Sequence, residues 1–73
     1  MNQEDIVNQL TTQLKKELPV HLTKNIDVFL ELVYKKDYRR AYLILDDVKK
    51  EPNWRPSKLL LELFEKFWWD LAN

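Results

Sequence analysis

Apolar side chains recur at three- and four-residue steps along almost the whole chain, and this periodicity predicts four helices. Ile6, Val7, Leu10, Leu14 and Leu18 form a narrow stripe, with Asn8, Gln9, Thr12, Lys15 and Lys16 opposite. A stripe that narrow predicts a peripheral helix, over about 3–18. Asn2 and Asp5 approximate a capping box at its start, and Pro19 disfavours helical geometry at Leu18. A second helix, over about 22–35, carries Leu22, Ile26, Phe29, Leu30 and Val33 on one face, widened by Val28, Leu32 and Tyr34. Its only consistent polar stripe is Lys24, Asp27, Glu31 and Lys35, so it is expected to be the most buried element, with Glu31 and Lys35 paired one turn apart. The third helix, over about 38–50, starts after Asp37 as N-cap and places Ala41, Ile44, Leu45 and Val48 in register. The fourth, over about 56–72, opens at Pro56 and gathers Leu60, Phe64, Phe67 and Leu71 on one side, with Leu63 and Trp68 at the margins.

The connection between the second and third helices is a residue or two, which makes them an antiparallel hairpin. The only real loop is Glu51-Pro52-Asn53-Trp54-Arg55-Pro56, where Trp54 between two prolines is expected to plug one end of a bundle. The expected architecture is therefore all-α: a compact antiparallel four-helix bundle in a single helical domain, 1–73, with the second helix central. The first helix either closes this bundle or pairs with a second chain.

Composition narrows the function. Among 73 residues there is no Gly and no Cys, and neither Asn-Gly nor Asp-Gly occurs. Hairpin turns, P-loops and dinucleotide-binding turns lose their usual chemistry. Disulfide staples and a Cys/His metal cluster are excluded, and no cofactor is called for. Twelve bases balance twelve acids, with neither half of the chain forming a basic arm, which argues against a general nucleic-acid coat. The longest apolar run is Ala41-Tyr42-Leu43-Ile44-Leu45, and Leu59-Leu60-Leu61 and Phe67-Trp68-Trp69 are shorter still; all are too short for a membrane span or a signal-peptide core. The chain reads as cytoplasmic. With one Ser (Ser57), one His (His21) and no base held by an orienting group, it does not read as an enzyme.

Two surfaces remain as candidates. On a helical wheel with Leu60 at zero, Trp69 falls at about 180°, among Glu62, Glu65 and Lys66 and opposite the core face. It is either an interface anchor, with Glu62, Lys66, Leu59 and Leu43 as further partner-binding residues, or a ring folded back onto its own helix or onto the first. The second candidate is the corner formed by Lys35, Lys36, Arg39 and Arg40. It is either a docking site for an acidic partner or an anion, or a solvated turn whose charges pair with Asp46 or Asp47. A third reading places Phe67, Trp68 and Trp69 on a membrane surface.

Residues 26–53, and in particular Val33-Tyr34-Lys35-Lys36-Asp37-Tyr38-Arg39-Arg40-Ala41 followed by Pro52-Asn53, resemble one tetratricopeptide helix pair. The small packing residue of that repeat's first helix is missing, and Ala41-to-Pro52 is a residue short. The resemblance implies a helical hairpin built to bind protein. In size and in its apolar last helix after a Pro, the chain is similar to the small helical immunity proteins of bacteriocin producers, without their extended C-terminal tail. That similarity implies a cytoplasmic bundle that acts by binding another protein. Together these readings point to a non-enzymatic interaction module, a small regulator, inhibitor or immunity-type protein, whose partner is another protein or a second copy of itself. The alternatives are nucleic-acid or anion binding at the basic corner and peripheral membrane association through the last aromatics.

Overall fold

The structure, a computed structural model, describes residues 3–73. It is all-α, and no strand occurs among the described residues. The helices are α1 (Gln3–Glu17), α2 (Lys24–Tyr34), α3 (Tyr38–Lys49) and α4 (Lys58–Phe67). A single turn of 3-10 helix, Val20–Leu22, precedes α2, and a π-helical turn, Trp68–Ala72, extends α4. The capping box expected at Asn2 lies outside the described residues.

Each helix runs antiparallel to the next. The end of α1 meets the start of α4, where the Ser57 N–H donates to Glu17 Oε1 at 2.8 Å. The start of α1 lies beside the end of α2, since Val7 and Asn8 share a groove with Leu30 and Val33. The start of α3 lies beside the end of α4, with the Tyr42 ring 4.9 Å from Trp68. The result is an up-down-up-down four-helix bundle closed by α1 against α4.

The core is continuous through all four helices. Ile6, Leu10, Leu14 and Leu18 bury the whole stripe of α1, and Leu60, Leu63, Phe64 and Phe67 bury that of α4. Phe67 sits at the centre, its ring 5.3 Å from Phe29 and 6.3 Å from Tyr38. At roughly 25 cal/mol per Å² of apolar surface removed from water, such rings dominate the stabilisation of a chain this short.

Four expectations are corrected. The second helix is not the most buried: only Ile26 and Phe29 of α2 are buried, because Val28 and Tyr34 widen its apolar face past the reach of α3 and no helix covers them. Its first turn, Val20–Leu22, is 3-10 rather than α; the Leu22 N–H bonds to the Pro19 carbonyl, a three-residue step. Pro56 does not open α4. Ser57 is the N-cap, its hydroxyl oxygen accepting from the Leu60 N–H at 3.1 Å. Leu71 is only half-buried, and Ala72 takes the core position instead. The Asn73 N–H reaches back five residues to the Trp68 carbonyl, and this wider turn shifts the register of the last residues.

Trp54 packs against the core from the α3–α4 loop, half-buried, as the loop's prolines suggest.

Candidate functional site

The outer face of α4 is set by what its inner face must bury. With positions 60, 63, 64 and 67 committed to the core, the opposite side of the same cylinder carries Leu59, Glu62, Lys66 and Trp69 at steps of three, four and three residues. All four are exposed, Leu59 to 52% and Trp69 to 61%. Trp69 does not fold back onto the bundle. Its neighbour Trp68 does, packing on Tyr42, and the one-residue turn between them sends the second indole outward. Trp69 lines a shallow depression with Glu62, Glu65, Lys66 and Asp70. Leu59 lies one end of the stripe away, beside a second depression that Asn8, Thr12 and Gln13 of α1 also line.

Leu43 is 58% exposed, but on α3, and it does not line the Trp69 depression. The structure therefore brings together four of the five residues expected to bind a partner on one helix face and leaves Leu43 apart.

The basic corner is less free than its sequence implies. Lys35 Nζ lies 3.2 Å from Glu31 Oε1, the expected one-turn pair. Arg40 Nε lies 3.5 Å from Asp37 Oδ2, while Asp37 Oδ1 accepts from the Arg40 N–H at 3.4 Å and so caps α3. Arg39 turns away, its Nε donating to the Ala72 carbonyl at 3.3 Å, where a cation also suits the negative end of the terminal turn. Asp46, offered above as a partner for this corner, is taken by Lys49 at 3.7 Å and Lys50 at 3.5 Å. Lys36 alone among the four has neither an ion pair nor a side-chain hydrogen bond within the described residues. Its backbone is left-handed, with φ of 61°.

No protein-family model, curated protein or solved structure matches this chain.

Two arrangements have little or no signal in the sequence. A groove of about 240 Å³ opens between α1 and α2, lined by Glu4, Val7, Asn8, Leu30, Val33, Tyr34 and Tyr38. Only the apolar excess on the second helix pointed toward it. The other is a junction between segments forty residues apart. Glu17 receives the Ser57 N–H, the Ser57 hydroxyl and the Gln13 amide. Burial pushes its carboxyl up, but the Ser57 hydroxyl, the Gln13 amide and the Ser57 backbone together outweigh it and hold Glu17 below its ordinary value. His21, at the same end of the bundle, is exposed and stands 3.3 Å from Glu51. No group of three or more His, Cys, Asp or Glu among the described residues is placed to hold a metal.

Proposed function

We propose that this chain is a non-enzymatic protein–protein interaction module, a small cytoplasmic regulator, inhibitor or immunity-type protein that acts by occupying a partner through the outer face of α4. One observation carries the reading: the Trp69 indole is well exposed on a helix whose other large rings are buried or half-buried. Burying such a ring at an interface releases far more apolar surface than any other side chain on this face could, and Trp is enriched among the residues that dominate binding energy. Leu59 extends the apolar surface along the helix, and Glu62 and Lys66 between them supply charges that give register.

The alternatives draw less support. An anion docking at the basic corner would compete with Glu31 for Lys35, with Asp37 for Arg40 and with the Ala72 carbonyl for Arg39. A membrane surface would meet one free aromatic ring rather than three, since Phe67 is buried and Trp68 packs on Tyr42. It would also meet Glu62, Glu65 and Asp70 around that indole, which anionic lipid repels. No helix among the described residues is long and apolar enough to cross a membrane.

The test is Trp69→Ala, read in two ways. Thermal stability should move by no more than about 0.5 kcal/mol, as for a surface substitution. Affinity for a partner captured from the producing cell's lysate should fall by about 1–2 kcal/mol or more, that is, roughly fivefold to thirtyfold or beyond. A large loss of stability with capture intact would make Trp69 a packing residue and end the proposal.

A further inference from the structure

We infer that the occupant of the Trp69 face is a second copy of this chain, docked helix against helix, α4 antiparallel to α4, across a two-fold axis. The inference rests on the reading of that face as an interaction surface and names what binds it.

The stripe Leu59, Glu62, Lys66, Trp69 has the three-four-three spacing by which one helix seats against another. Its order is also self-complementary. Positions 59 and 69 are symmetric about position 64, and so are 62 and 66. Turning a second α4 end for end about that point sets Leu59 against Trp69 of the second copy and Glu62 against Lys66 of the second copy, with the reciprocal pairs generated by symmetry. A two-fold contact requires such reciprocity, because each residue that meets another must be met by it in turn. A parallel arrangement in register would set Glu62 against Glu62 and Lys66 against Lys66, which like-charge repulsion opposes.

The charges are available. Glu62 and Lys66 stand one turn apart in the order that favours pairing within a helix, yet neither has an ion pair among the described residues. Docking would give each a partner while closing the two exposed apolar side chains over one another at both ends. One feature opposes it: Glu65 falls beside the axis and meets its own copy at the solvent rim. A single screened pair there weakens the contact without reversing it.

The experiment is solution mass by light scattering on the full chain over a concentration series up to millimolar. Wild type should rise from one chain to two. E62K and K66E, each as helical as wild type by circular dichroism, should each weaken the dimer at least about tenfold by setting like charges together. Mixed in equal amounts, the two variants should dimerise with each other, since each then supplies what the other lacks. E65Q should tighten the wild-type dimer. A chain that stays monomeric overturns the inference, as does a dimer that both charge reversals leave unchanged. A monomer whose W69A variant still loses a captured protein removes only the second copy and leaves the interaction module standing. A monomer whose W69A variant loses nothing removes both.

Discussion

Lys36→Gly should stabilise the protein, although it deletes a charged side chain and adds flexibility. Lys36 closes α2 in a Schellman arrangement: its N–H bonds to the Val33 carbonyl at 2.9 Å, and the Asp37 N–H reaches the Leu32 carbonyl at 2.9 Å. That arrangement needs a left-handed residue, and Lys36 supplies it with φ of 61° in a chain that contains no glycine. A Cβ in this conformation costs roughly 1–2 kcal/mol. Glycine removes that cost but adds unfolded-state freedom worth about 0.5–1 kcal/mol. The net gain is about 0.5–1 kcal/mol. Among the described residues the Lys36 side chain makes no ion pair whose loss would offset it. For a domain of this length, ~1 kcal/mol raises the melting temperature by about 4–8 °C. The assay is urea unfolding followed by tryptophan fluorescence, with Lys36→Ala as the control. Alanine removes the same charge but keeps the Cβ, so it should show none of the gain. Equal stability of the Gly and Ala variants, or a loss with Gly, would refute the strain argument.

Three further outcomes follow from the packing. Phe67→Ala removes the ring at the centre of the bundle and should cost about 3–5 kcal/mol by urea titration, enough to unfold a domain this small or nearly so. Ser57→Ala deletes both the cap of α4 and its hydroxyl link to Glu17, and should cost about 1–2 kcal/mol in the same assay. Glu17 has a depressed pKa in the folded state, so its contribution is fully present above its unfolded value of 4.5 and is lost as pH falls through the lower folded value. Thermal melts between pH 6 and pH 3 should therefore show a loss of stability below about pH 4.5 that Glu17→Gln diminishes.

The periodicity of the chain was sufficient for the fold because each core stripe is carried by local spacing. Ile6-Leu10-Leu14-Leu18 and Ala41-Leu45-Val48 are buried where a helical wheel puts them. The same geometry placed Trp69 outward, since the angle from Leu60 survives the change of turn at Trp68. Failures came where a partner lies far along the chain. Nothing in the spacing of Glu17 and Ser57 announces their contact, and nothing around Arg39 announces the Ala72 carbonyl. Burial of the second helix was overestimated because apolar content records what a face could bury, not how much of it a neighbour reaches. The left-handed Lys36 was hidden for a related reason: glycine is the usual marker of that backbone, and here the marker is absent.

A photo-crosslinking amino acid placed at position 69 asks whether that face meets another polypeptide in the cell, as proposed. Irradiation in the producing cell should yield a discrete crosslinked species, at twice the mass of the chain when the occupant is a second copy, while the same group at the exposed loop residue Asn53 yields none. Position 69 giving no discrete species, or the same products as position 53, would mean that Trp69 meets solvent and no partner.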